Sequence, residues 1–226
     1  MADGGGSEMS WWRDRSLTLV LLALFALCTA GQAVTGWLEY NREREAHGQS
    51  TSTLPGYLAT GHPWAALFEN WESEFLQMAA FVLLTTRLVQ KGSPESRRRG
   101  VREAVDADPR DHQYAPGAPW PVRRGGFVAR LYAHSLSLAL LLLFTASWVG
   151  HVLGGLAAFR ADAVAHGQPP PALGAYLASP RLWFESLQNW QSEFLSIAAM
   201  VWLSVYLRER RSPESKPVHA AHDEHD

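Results

Sequence analysis

The sequence predicts an all-α, polytopic membrane protein whose four transmembrane helices form two tandem hairpin repeats of parallel orientation. Three observations predict it. Apolar residues are blocked together while charges fall in the gaps, so the unremarkable mean hydropathy of −0.13 conceals long apolar runs. A stretch of about 81 residues recurs without a gap at a constant offset of 119, with about 33 identities, a sign of internal duplication. Of the 20 Lys and Arg residues, about 16 fall in segments on one side of the expected spans, the positive-inside pattern.

The first span runs from about residue 17 to 38, "LTLVLLALFALCTAGQAVTGWL", close to the ~20 apolar residues that cross ~30 Å of hydrocarbon. Arg13 and Arg15 ahead of it give it the look of a cleavable secretory signal. Its copy at about 136–159, "LSLALLLLFTASWVGHVLGGLAAF", lies mid-chain, where a signal peptide has no use, so both are read as retained helices. The other spans are expected at about 67–89 and 186–207. Pro63 and Pro180 suit their first turns, with Ser179 as a cap and Trp64 and Trp183 as interfacial anchors.

The expected organisation follows. Residues 1–15 form a cytoplasmic N-terminus, 16–96 the first hairpin, and 97–134 a Pro- and Gly-rich charged cytoplasmic linker. Residues 135–215 form the second hairpin and 216–226 a cytoplasmic His- and acid-rich tail. Arginine asymmetry places both termini in the cytoplasm, at a bacterial inner membrane.

The matched islands carry the candidate site. "NWESEFL" from Asn70 returns as "NWQSEFL" from Asn189, placing Glu74 and Glu193 inside expected spans. At 1.5 Å per residue Glu74 lies ~20 Å from Arg87, and Gln32 ~25 Å from Arg15. Glu74, Glu193, Gln32 and its counterpart His151 are therefore expected in one polar layer, joined by Asn70, Asn189, Ser73 and Ser192. A charge facing lipid costs about 2.5 kcal/mol or more at the bilayer centre, so these glutamates should face protein or water. Gly31 and Gly36 match Gly150 and Gly155, and Gly150 with Gly154 has the GxxxG spacing of close helix packing.

The preferred functional reading is a structural or accessory membrane protein whose intramembrane Glu, Asn and His brace helix packing. The alternative is a small proton- or cation-coupled transporter or channel-like protein using Glu74, Glu193 and His151. No catalytic residue is assigned, and enzyme activity is not the preferred reading: the chain has no GxxxxGK[ST], HExxH or GxSxG signature and one cysteine, Cys28. No cofactor is expected. A divalent metal is the one exception considered, on His47 and His166 of the two "AHGQ" loops or on His219, His222 and His225 of the tail. His134 and His151 are spaced as for two stacked haems, but their counterparts are Arg15 and Gln32, which does not favour that use. The expected partners are the lipid bilayer and a second copy of the chain; a net charge of −2 gives no case for nucleic acid.

"FENWESEFLQMAAFVLL" followed by "GSPES" resembles an uncharacterised family of bacterial integral membrane proteins, a domain of unknown function. The resemblance implies a bacterial inner-membrane setting and no established activity, and it carries no site residue with it.

Overall fold

The structure, a computed structural model, describes residues 11–222, and the chain divides into two units, 1–64 and 65–226. Among the described residues all regular structure is helical.

The first unit is dominated by helix α1, Ser16–Ala46. Leu, Val, Phe and Ala surround it up to Leu38, ahead of a charged end at residues 39–45; no residue of it is buried, and the single Cys28 is exposed. It ends in a Schellman turn. Gly48, at φ +68°, lets its own N–H reach Glu45 O at 3.0 Å and the Gln49 N–H reach Arg44 O at 2.8 Å. Trp37 Nε1 and Asn41 Nδ2 then donate to Ser52 O, at 2.7 and 2.9 Å, and fold the loop back along the helix. Thr53 caps the short helix α2, Leu54–Leu58, which buries Tyr57. Helix α3, His62–Thr85, starts here, and Trp64 Nε1 donates to Leu58 O at 2.9 Å.

In the second unit α3 ends at Thr85, four residues before the expected Val89. The exit is fixed by serines: Ser96 Oγ accepts the Gln90 N–H at 2.7 Å and Ser93 Oγ the Glu95 N–H at 3.2 Å. "SPES" at 212–215 does the same with Glu209 and Glu214. The linker contains two 3-10 turns, Ala104–Asp106 and Pro109–His112, with Arg97 paired to Asp106, and the helices α4, Trp120–Arg124, and α5, Gly126–Ala133. Helix α6 runs Ser135–Ala165 and closes with the same Schellman turn, Gln168 N–H to Ala163 O at 2.8 Å. The short helix α7, Leu173–Leu177, buries Tyr176. Helix α8, Pro180–Tyr206, begins at the expected proline, and Ser179 Oγ accepts the Leu182 N–H. Trp183 Nε1 donates to Leu177 O, as Trp64 does to Leu58.

Of the four expected spans, α1 and α6, each 31 residues, are long and apolar enough to cross a membrane. Helices α3 and α8 do not meet that measure. Polar residues crowd them from Glu69 to Gln77 and from Arg181 to Glu193, and they turn mainly apolar only beyond those stretches. Those polar stretches build the site. The apolar core beside them joins Val152 and Leu156 of α6 to Tyr176 and Leu182, with Trp148, Phe159 and Leu177 packed on it.

Candidate functional site: a buried Glu72–His151 cluster

Three helices of the second unit converge on His151. Residues three or four apart share one face of a helix, so α3 presents Glu69 and Glu72 together. On the same principle α8 presents Glu185, Ser186, Asn189 and Trp190. From α6 comes His151, next to Gly150, where a β-carbon would strike the Phe68 ring of α3; glycine there permits the approach.

Glu72 and His151 are both 0% exposed. His151 Nδ1 donates to Glu72 Oε2 at 3.0 Å. The other oxygen, Oε1, accepts from Ser186 Oγ at 2.7 Å and from Trp190 Nε1 at 3.3 Å. Three donors on two neighbouring helices thus satisfy one carboxylate, which is what a buried charge requires. The opposite edge of the imidazole differs. His151 Nε2 is buried and makes no hydrogen bond; Glu185 Oε2 lies 3.5 Å away, outside good hydrogen-bond geometry. Glu185 is held through its other oxygen by Arg181 Nε at 3.0 Å, and Arg181 also donates to Asp162 Oδ2 at 2.9 Å. Asn189 Nδ2 donates to Glu69 Oε1. One donor atom each from Glu69, His151 and Glu185 lie within 4.8 Å of one another.

Tyr176 borders the cluster. Its hydroxyl is buried without a hydrogen bond, and burial first, then the negative charge of Glu185, pushes it up to about 12. It sits in the notch left by Gly155, where a β-carbon would fall on the phenol oxygen.

The residues expected to form a polar layer are distributed differently. Glu74 and Glu193 lie within hydrogen-bonding reach of each other, Glu74 exposed and Glu193 half-buried. Asn70 is exposed and donates to Ala66 O of its own helix. Ser73 is buried and Ser192 exposed, each donating to a carbonyl one turn back. Gln32, on α1 of the first unit, is exposed. His151 and Asn189 are the members that reach the cluster. The acid shielded by its neighbours is therefore Glu72, not Glu74: two residues along a helix turns a side chain by ~200°, to the other face.

The expected packing glycines also divide. Gly150, half-buried, meets Phe68 of α3, and Gly154 is buried, while Gly36 and Gly155 receive tyrosine rings from the short helices, Tyr57 and Tyr176. Gly31 has nothing near its β position.

His47 and His166 each donate from Nδ1 to a carbonyl of their own helix, Glu43 O and Asp162 O, at 2.8 Å. They close Schellman turns. His219 is exposed and His222 bonds Val205 O at 3.2 Å; His225 lies outside the described residues.

The family model described as a domain of unknown function (DUF6766) matches residues 8–226. The chain belongs to this family. No curated protein and no solved structure matches it. As a DUF6766 member the chain acquires no assigned chemistry, so the cluster itself must support any functional reading.

Proposed function

We propose that the chain is an integral membrane protein that binds and passes a cation through the His151 cluster. On this reading all four long helices cross the bilayer as two duplicated hairpins of like orientation, with both termini on the arginine-rich cytoplasmic face of a bacterial inner membrane. Helix α3, at 24 residues, reaches ~36 Å, enough for ~30 Å of hydrocarbon. The polar stretches of α3 and α8 are tolerable in a membrane where their acids are shielded, as Glu72 is, while Glu74 and Glu193 require water or a partner helix beside them.

The observation that carries this reading is the imidazole of His151. It is wholly buried, oriented by Glu72 at Nδ1, and turns an unbonded Nε2 toward the Glu185 carboxylate. At 3.5 Å from Glu185 Oε2, that nitrogen leaves room for a cation between ring and carboxylate, which would satisfy both. Glu74 and Glu193, side by side, offer a second place where a cation can bridge two carboxylates.

Reconstitution into liposomes tests the proposal. The intact chain should dissipate an imposed proton or divalent-cation gradient. His151→Gln should abolish the flux at unchanged yield and elution, and Glu74→Gln with Glu193→Gln should reduce it. A parent protein that folds, inserts and passes no cation sinks the transport reading. A bracing role would then stand, favoured by the three donors that tie α6 and α8 to Glu72.

A further inference from the structure

The geometry points to a divalent transition-metal site, of the Zn2+ class, built by His151 Nε2 with one carboxylate oxygen each from Glu69 and Glu185. The inference rests on reading the cluster as a cation site and names the cation.

The first support is the tautomer. A carboxylate accepts only, so Glu72 Oε2 at 3.0 Å fixes the hydrogen of a neutral His151 on Nδ1. The lone pair is then on Nε2. A carboxylate behind a histidine that turns its other nitrogen outward is the arrangement that orients metal-binding imidazoles and raises their basicity. Ser186 and Trp190 hold that carboxylate in turn.

Spacing is the second support. Two ligands each ~2.0–2.1 Å from a tetrahedral ion stand ~3.3–3.4 Å apart. His151 Nε2 and Glu185 Oε2 are 3.5 Å apart. The Glu69 oxygen completes a triangle no wider than 4.8 Å, within reach of a small side-chain rotation. Arg181 and Asn189 grip the two glutamates and limit their rotamers.

Charge is the third. Glu69, Glu72, Glu185 and Asp162 meet one guanidinium, Arg181, and one imidazole. A divalent ion between Glu69 and Glu185 offsets the excess negative charge of that group. One nitrogen and two oxygens suit zinc and its first-row neighbours; calcium and magnesium prefer oxygen alone. Three protein ligands leave a fourth position for water or an exchanging ligand, as a site that must release its ion requires.

Equilibrium dialysis of the full-length, detergent-purified chain against Zn2+, without an added affinity tag, tests the site. One tightly held Zn2+ per chain is expected, with Co2+ in its place giving the visible absorption of a four-coordinate nitrogen–oxygen site. Glu69→Gln with Glu185→Gln should weaken that binding at least 100-fold while keeping side-chain volume. Glu72→Gln should weaken it about 10- to 100-fold through the histidine. Full-length chains carrying His47→Ala with His166→Ala, or His219→Ala, His222→Ala and His225→Ala, should retain it. Absence of tight binding to a folded parent, or binding unmoved by the double glutamine variant and lost with the tail histidines, overturns the metal site. Neither result depends on flux, so a protein that binds zinc and transports nothing defeats the transport proposal alone.

Discussion

Tyr176 and Gly155 meet so closely that the glycine has no room for a β-carbon. Tyr57 and Gly36 repeat the contact in the first unit. In each case a short helix after the long one swings a tyrosine onto it. Gly155→Ala should therefore cost about 1–3 kcal/mol, the usual effect of overfilling a packed site. Tyr176→Phe alone should be neutral or slightly stabilising, because it removes a buried hydroxyl that has no hydrogen bond. Combined with Gly155→Ala it should recover part of the loss. Thermal unfolding in detergent, followed by tryptophan fluorescence, reads all three; additive losses would contradict the contact.

Glu72 is the most heavily bonded side chain of the cluster, so its replacements should be graded. Glu72→Ala strands His151, Ser186 and Trp190 and should cost about 3–5 kcal/mol, as when one partner of a buried pair is removed. Trp190→Phe removes the long 3.3 Å bond and part of the ring that packs on Phe144, and should cost about 1–2 kcal/mol, less than Glu72→Ala. Equal losses in the two variants would mean that Glu72 is not the hub.

Gln77 offers a contrast. It is buried on α3 and reaches α8 through two long bonds, 3.4 Å each, to Glu193 O and Ser196 Oγ. Polar contacts between helices in a membrane average about 0.6 kcal/mol, so Gln77→Leu should shift the unfolding midpoint little. A loss comparable to that of Glu72→Ala would assign Gln77 a larger role than its geometry allows.

Glu95, beyond the end of α3, gives a pH signature. Burial first, then the hydrogen bond and charge of Glu214, raise its carboxyl above the ordinary 4.5. A carboxyl raised on folding contributes stability that is complete below its unfolded value and is lost as pH rises through the folded one. Glu95→Gln should flatten the loss of stability that sets in as pH rises above the ordinary carboxyl value of 4.5, and raise stability at neutral pH. An unchanged pH profile would show that the two exit turns do not hold these acids together.

Helix placement and turn chemistry were largely legible in the sequence. The prolines, Ser179, the "AHGQ" endings and the "SPES" exits act locally, and local chemistry can be read from neighbours. The chemical centre was not legible by the same route. Repetition singles out Glu74, which Glu193 matches, whereas Glu72 faces Gln191 in the alignment of the two halves and His151 faces Gln32. Repetition selects what both halves share, such as Asn189 and Trp190, whereas the acids and the histidine of the cluster are what they do not share. The missed signal was a facial one: Glu69 with Glu72, and Glu185 and Ser186 with Asn189 and Trp190, recur at helical spacing. Even so, spacing cannot say which face of α3 meets His151. Only the packing of α3, α6 and α8 decides that.

Cys28 has a practical consequence. It is the chain's sole thiol, exposed on a helix none of whose residues is buried. A nitroxide attached there would need no background substitutions, and its relaxation by dissolved oxygen against a water-soluble nickel chelate would measure immersion depth directly. The native sequence thus carries its own dipstick for α1.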